Sequence, residues 1–159
     1  MSRVLAAIAQ RARLNDGAIA LSDQTTALTY GALETAIATA ARDLFAWAPM
    51  VRPGSPVAVR LPNGPAWVVL DLALARLGWA SLPLPGFFTD AQRQHALADA
   101  GASLLVELSD AANSDLNIAS TPLRVTPLNL PARALPTGTA KITYTSGSTG
   151  QPKGVCLSR

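Results

Sequence analysis

The alternation of strand-like and helix-like segments between residues 56 and 107 constrains the fold of this chain more than any other feature. Short apolar runs that are typical of buried strands occupy residues 56–61, 79–84 and 103–107. Two segments with the apolar period of a helix separate these runs. Strands and helices that alternate over so short a stretch favour right-handed parallel crossovers. The sequence therefore predicts an α/β fold: a partial doubly wound, mostly parallel sheet with flanking helices.

Residues with strong capping preferences mark the ends of the predicted helices. Three polar residues stand where N-terminal caps are expected: Thr29, Asn63 and Thr89. Gln92 follows Thr89 by three residues, which predicts a capping box. Two glycines stand where helices are expected to end: Gly78 and Gly101. Upstream, residues 2–13 have helical spacing, and residues 18–22 and 27–29 are typical of a small hairpin.

The periodic pattern weakens after residue 108. Residues 109–139 are rich in Asn, Ser, Thr and Pro, and only residues 123–126 suggest a strand. We therefore expect three parts. An α/β N-terminal subdomain occupies residues 1–108, an irregular connection occupies residues 109–139, and a strand-loop-strand unit occupies residues 140–159.

The third part contains a run rich in glycines and hydroxyl groups, residues 144–155, with the sequence Tyr-Thr-Ser-Gly-Ser-Thr-Gly-Gln-Pro-Lys-Gly-Val. Glycines let successive backbone N–H groups turn inward and form a concave anion cradle. The hydroxyl groups add hydrogen-bond donors, and Lys153 supplies a mobile positive charge. The run is therefore predicted to bind a polyphosphate between strands at residues 142–145 and 155–158.

Two other interpretations of this run are less favoured by its residues. The run does not fit the phosphate loop Gly-x-x-x-x-Gly-Lys-Ser/Thr, because Pro152 occupies the second glycine position and Gly154 stands where a magnesium-binding hydroxyl is needed. A flexible Gly/Ser linker is the other interpretation. A linker requires neither Tyr144 before the glycines nor the Pro-Lys-Gly-Val exit after them.

The same run resembles the signature loop of the adenylate-forming, or AMP-binding, superfamily, which includes acyl-CoA synthetases, aryl-acid ligases, adenylation domains of peptide synthetases and luciferases. Weaker resemblances to this superfamily follow in order upstream, at residues 28–33, 51–59, 61–64 and 78–84. Together they cover residues 19–158. Two departures stand out: Ser55 replaces a common Asp, and Arg159 stands where the family often has His.

The resemblance implies the N-terminal part of an ATP-dependent ligase that activates a carboxylic acid as an acyl-adenylate and then transfers the acyl group to a thiol of CoA or of a carrier protein. ATP and Mg²⁺ are the implied cofactors, and the magnesium ligand is expected outside this chain. No catalytic residue and no metal ligand is assigned within it. The residues implied in binding the ATP phosphates are Thr145, Ser146, Gly147, Ser148, Thr149, Gly150 and Lys153.

Family members are several times longer, so the 159 residues are expected to be an N-terminal fragment that is inactive by itself. Two alternatives for the chain stay open: a non-catalytic fragment, and a nucleotide-binding module without turnover. Release of pyrophosphate from ATP in the presence of magnesium and carboxylic acids would distinguish an active chain from both.

Composition excludes several other classes of protein. The net charge of +3 comes from scattered basic residues, which argues against a nucleic-acid binder. No apolar stretch reaches the length of a membrane span, and the chain is expected to be cytoplasmic. Only 14% of residues are charged while 49% are hydrophobic, which suggests apolar surface that would drive self-association.

Three single residues invite functional interpretations that the sequence does not favour. His95, the only histidine, is expected to be a partly exposed helix residue rather than a base. Asp71 is expected to be solvated on the polar side of its helix. Cys156 is the only cysteine of the sequence, so an intramolecular disulfide is excluded, and Cys156 is expected to be a buried thiol on a strand.

Overall fold

A seven-stranded sheet with helices on both faces organises the chain in a computed structural model that describes residues 3–145 and 152–158. Among the described residues, the four α-helices are α1 (Arg3–Leu14), α2 (Tyr30–Phe45), α3 (Pro65–Leu77) and α4 (Asp90–Ala100). The strands are β1 (Ile19–Ser22), β2 (Ala27–Thr29), β3 (Val57–Arg60), β4 (Ser81–Pro83), β5 (Leu104–Leu108), β6 (Leu116–Ile118), β7 (Thr121–Pro127), β8 (Thr139–Thr145) and β9 (Lys153–Ser158).

The main sheet is parallel at its centre and antiparallel at both sides. Its strand order is β6-β7-β5-β3-β4-β8-β9, while β1 and β2 form a separate antiparallel pair. Strand β3 pairs in parallel with β4 and with β5, and β4 pairs in parallel with β8. The outer strands β6, β7 and β9 are antiparallel to their neighbours. The α/β fold class predicted from the sequence is confirmed.

Alternate residues of β3 face two separate hydrophobic clusters. Val57 and Val59 belong to a large cluster that α1, α2 and α3 cover, whereas Ala58 belongs to a second cluster covered by α4. All three side chains are buried. Because one strand is buried on both faces, helices have to cover both sides of the sheet, which is the doubly wound arrangement.

Local signals placed most helix ends correctly. The Thr29 side chain accepts a hydrogen bond from the Ala32 N–H at 3.2 Å, and the capping box between Thr89 and Gln92 is present. Both predicted glycine stops end their helices in the left-handed conformation: Gly78 and Gly101. The prediction for α3 was wrong, since its N-cap is Gly64 and not Asn63. Pro65 explains the difference, because its fixed φ and missing N–H suit the first helical position.

The segment after β5 is more regular than expected. Strands β6 and β7 form a hairpin inside the predicted irregular connection, and β7 continues the sheet by pairing with β5 over five residues. Leu123 and Val125 of β7 are buried in the large cluster. The strand expected at residues 123–126 is part of β7. No pattern in the sequence indicated β6, so the hairpin was not predicted. The division of the chain into three parts stays a prediction.

None of the described helices has the length and apolar character that crossing a membrane requires.

We expect Gly101→Ala to destabilise the fold more than Gly54→Ala. Both glycines have positive φ, 60° and 75°, so both substitutions carry a backbone cost of about 1–2 kcal/mol. A Cβ at Gly101 would lie 2.8 Å from the Arg133 backbone nitrogen, whereas a Cβ at Gly54 would have no neighbour within 4 Å. The clash should add roughly 1–3 kcal/mol. Urea unfolding midpoints measure the difference, and equal losses would contradict the close approach at Gly101.

Candidate functional site

The candidate site lies where the β8–β9 hairpin leaves the sheet. Strand β8 runs parallel to β4, so its last residue, Thr145, lies at the edge of the sheet where the parallel strands have their carboxyl ends. Strand β9 returns antiparallel to β8, with Lys153 paired directly with Thr145. The two strands predicted on either side of the glycine-rich run are therefore present. Ligands of doubly wound sheets bind at this carboxyl edge.

The structure brings together the two described members of the predicted phosphate-binding set. Thr145 and Lys153 form the last cross-strand pair of the hairpin, and both are exposed. The remaining members lie outside the described residues: Ser146, Gly147, Ser148, Thr149 and Gly150. The hairpin therefore presents one hydroxyl and one ammonium group at the ends of the predicted loop.

The two lysines of the chain have different surroundings. The Lys141 ammonium lies 2.8 Å from an Asp71 carboxylate oxygen and 5.0 Å from the centre of the Trp67 ring. The Ser81 hydroxyl donates to the other Asp71 oxygen at 2.8 Å. The prediction of a solvated Asp71 was wrong, because β8 brings Lys141 against α3. Within the part of the chain that the structure describes, Lys153 has no carboxylate partner.

Helix α4 contacts the hairpin through polar groups that the sequence analysis did not connect. The Tyr144 hydroxyl donates to an Asp99 carboxylate oxygen at 2.6 Å. The His95 Nε2 lies 3.2 Å from the Pro152 carbonyl oxygen, and the histidine ring meets the Tyr144 ring edge to face. His95 is partly exposed, as predicted. No local sequence signal relates residues so far apart along the chain.

Gly154 makes room for the Tyr144 ring. The two residues pair across the hairpin, and a Cβ at Gly154 would lie 2.9 Å from the Tyr144 Cζ atom.

Burial raises the pKa of the Tyr144 phenol far above its ordinary value, and the hydrogen bond to the Asp99 carboxylate adds to the shift. The phenol therefore stays protonated at neutral pH and acts as the donor in this bond.

A crevice of about 790 Å³ opens at the edge of the sheet where the parallel strands have their carboxyl ends. Its walls are the segments that follow β3, β4 and β5, and the connections after β3 and β4 pass to opposite faces through α3 and α4. Such a switch point forms a ligand crevice in doubly wound sheets. The walls are mostly apolar, with Trp67 and Phe87 among them, and the Arg60–Glu107 ion pair of 3.2 Å adds charge.

Two further sequence expectations concern thiol and metal chemistry. The prediction of a buried Cys156 was wrong: the thiol is exposed, since every residue of β9 is exposed and no described strand pairs with its outer edge. Among residues 3–145 and 152–158, no group of three His, Cys, Asp or Glu side chains could hold a metal ion.

Comparison with known proteins identifies the family. The sequence model described as "AMP-binding enzyme" matches residues 8–159. The chain therefore belongs to the AMP-binding enzyme family. A feruloyl-CoA synthase from Amycolatopsis sp is 37% identical over 161 residues, which cover 93% of this chain and 32% of that protein. Enterobactin synthase component F from Escherichia coli O157:H7 is 33% identical and covers 96% of this chain. The chain thus spans 32% and 12% of the lengths of these relatives.

Solved structures share the fold. The O-succinylbenzoate coenzyme A synthetase MenE from Bacillus subtilis, in complex with AMP, matches with a TM-score of 0.69 and 26% identity, over 95% of this chain and 41% of that chain. The N-terminal subdomain of NpsA from Klebsiella oxytoca, in complex with 3-hydroxybenzoyl-AMSN, matches with a TM-score of 0.72 and 22% identity. That match covers 99% of this chain and 41% of the NpsA chain. The described architecture is thus that of an N-terminal subdomain in adenylate-forming enzymes.

We expect the stability that depends on Tyr144 to decrease at alkaline pH. The pKa of this phenol is raised in the folded chain, whereas an unfolded tyrosine has a pKa of about 10. Above about pH 10 the unfolded state therefore binds fewer protons than the folded state, so the free energy of unfolding decreases as pH rises. Below that pH the contribution is complete. The groups that face the phenol are Asp99, His95 and Cys156.

Urea unfolding at several pH values from about 8 to 11 measures this effect. Tyr144→Phe is the matched control because it keeps the ring and removes the titrating group, and a Cys156→Ser background removes the neighbouring thiol from both proteins. The stability advantage of the tyrosine protein over the phenylalanine protein should shrink above about pH 10. An advantage that does not change with pH would contradict the shifted pKa.

Proposed function

We propose that this chain forms the N-terminal part of an ATP-dependent ligase that activates a carboxylic acid. In the first step a carboxylate oxygen attacks the α-phosphorus of ATP, and pyrophosphate leaves as the acyl-adenylate forms. In the second step the sulfur of a CoA or carrier-protein thiol attacks the acyl carbon, and AMP leaves. Membership of the AMP-binding enzyme family and the similarity to feruloyl-CoA synthase and to an enterobactin synthase component support this proposal.

The observation that carries the proposal is that the exposed residues Lys153 and Thr145 pair across the hairpin at the carboxyl edge of the sheet. A lysine without a described carboxylate partner, next to a hydroxyl and a glycine-rich run, suits the anionic oxygens of a polyphosphate. Lys141 does not suit this role, because Asp71 already neutralises it. Of the two lysines, Lys153 is therefore assigned to the nucleotide.

Lys153 and Thr145 would act on the leaving group. Negative charge accumulates on pyrophosphate as its bond to the α-phosphorus breaks, and a fixed ammonium group stabilises that charge. The Thr145 hydroxyl can donate a hydrogen bond to a phosphate oxygen and so orient the chain of phosphates for in-line attack. The predicted contacts of Ser146, Gly147, Ser148, Thr149 and Gly150 remain part of the same proposal. Magnesium supplies charge neutralisation when it accompanies ATP, and we assign it no ligand from this chain.

Replacing Lys153 with alanine in the complete protein should slow the exchange of radioactive pyrophosphate into ATP. A missing charge at the leaving group should reduce the exchange rate on the order of 100-fold. The assay uses a panel of carboxylic acids that includes ferulic acid, after the similarity to feruloyl-CoA synthase.

Two variants serve as controls for this experiment. Lys153→Arg keeps the positive charge and should retain more exchange than Lys153→Ala. Arg13→Ala removes an exposed positive charge from the last turn of α1 and should leave the rate unchanged. An exchange rate of Lys153→Ala within about twofold of the unmodified protein would exclude the assigned role, since a lost charge–phosphate contact has a larger effect.

A further inference from the structure

The described ends of β8 and β9 extend beyond the strand next to them, β4. Strand β4 pairs with β8 with Ser81 opposite Lys141, and β4 ends at Pro83. In a parallel register this places the end of β4 level with Thr143, so Tyr144 and Thr145 continue past it. On the other side β9 pairs only with β8 among the described strands. Pairing with β4 therefore does not fix the positions of Tyr144 and Thr145 at the described end of the hairpin.

Helix α4 supplies the contacts that sheet pairing lacks. The Asp99 carboxylate accepts the 2.6 Å hydrogen bond from the Tyr144 hydroxyl, and a short bond to a charged acceptor is among the stronger hydrogen bonds in proteins. Because the Pro152 carbonyl can only accept, His95 Nε2 must donate across the 3.2 Å contact.

These two contacts hold both strands of the hairpin close to the candidate site. Tyr144 immediately precedes Thr145, and Pro152 immediately precedes Lys153. Pro152 is buried and Tyr144 is only 8% exposed, although Thr145 and Lys153 are exposed. Thr145 and Lys153 therefore each follow a residue that is fixed against α4.

Helix α4 is itself held at both ends. Its capping box satisfies backbone N–H groups at the N-terminal end. At the other end the Arg52 guanidinium donates to the carbonyl oxygens of Gly101 and Ala102, at 2.9 and 3.2 Å. Asp99 lies in the last turn of α4, where the helix dipole disfavours a carboxylate. The Tyr144 hydroxyl therefore offsets an arrangement that the helix alone would not favour.

We propose that Asp99, His95 and Tyr144 are positioning residues that set the location of Lys153 and Thr145 for the ATP-dependent step. This inference rests on the proposed function. None of the three residues is required to touch ATP. They act by fixing the hairpin to α4, so that the ammonium and hydroxyl groups meet the phosphates without further reorganisation. Pre-organised groups of this kind contribute to catalysis through geometry and electrostatics.

The test measures pyrophosphate exchange by the complete protein and its variants at varied ATP and varied acid concentrations. Tyr144→Phe and Asp99→Ala each remove one side of the anchoring hydrogen bond. Each should raise the KM for ATP about fivefold to tenfold, as expected for the loss of a typical intramolecular hydrogen bond. The KM for the acid should not change. A merely structural role would lower the amount of active protein, and hence the apparent kcat, without changing either KM.

Further variants test the specific contacts. The double variant Asp99→Ala/Tyr144→Phe should resemble either single variant, because both remove the same bond. His95→Gln keeps a side-chain N–H donor and should retain a lower KM for ATP than His95→Ala. Tyr30→Phe, at the other tyrosine, and Gln94→Ala, at an exposed position of α4, are matched controls that should behave as the unmodified protein.

The outcomes separate this inference from the proposed function. If the unmodified protein catalyses exchange but Tyr144→Phe and Asp99→Ala keep the KM for ATP within about twofold, the positioning role is overturned and the proposed function stands. Additive effects in the double variant would also overturn the role of the shared bond. If the unmodified protein catalyses no exchange with any acid, both proposals fail.

Discussion

Burial of β3 on both of its faces is the constraint on which the rest of the structure depends. Val57, Ala58 and Val59 are at most 2% exposed, and a buried valine contributes about 1.5–3 kcal/mol relative to an exposed one. A strand buried on both faces needs helices on both sides of the sheet, so α3 and α4 pass over opposite faces. This divergence opens the crevice at the carboxyl edge of the sheet. It also places α4 on the face of the sheet where Tyr144 of the hairpin packs. The location of the candidate site is thus a consequence of how one short strand is covered.

Features that depend on neighbours in the sequence could be predicted. The capping box at Thr89 and the left-handed glycine at Gly101 are local arrangements, and each is present where the sequence indicated it. The strands on either side of the glycine-rich run were also predicted, because Pro152 disfavours a helix at that point. Even a local signal failed where two competed: Pro65 fixed the start of α3 one residue later than Asn63 suggested.

Features that depend on contacts between distant segments could not be predicted. Asp71 finds Lys141 and Ser81 only because the sheet brings β4 and β8 against α3, and periodicity within one helix carries no such information. The bond between Tyr144 and Asp99 joins two elements separated by 45 residues. Cys156 lies in an apolar run, yet its burial is decided by whether another element covers β9, which the run itself does not reveal. Tertiary neighbours therefore decided these cases.

The small side chains beneath α4 connect the core to the candidate site. Ala96 and Ala100 are 0% and 2% exposed and pack in the same cluster as Ala58, Leu82 and Ile142. Because alanine adds so little bulk, the helix axis can approach the sheet closely, and the height of α4 above the sheet decides where Asp99 meets the hairpin. A larger residue at either alanine would move the helix outward. Two methyl groups in the interior therefore help to set where Asp99 of α4 meets the Tyr144 hydroxyl of the hairpin.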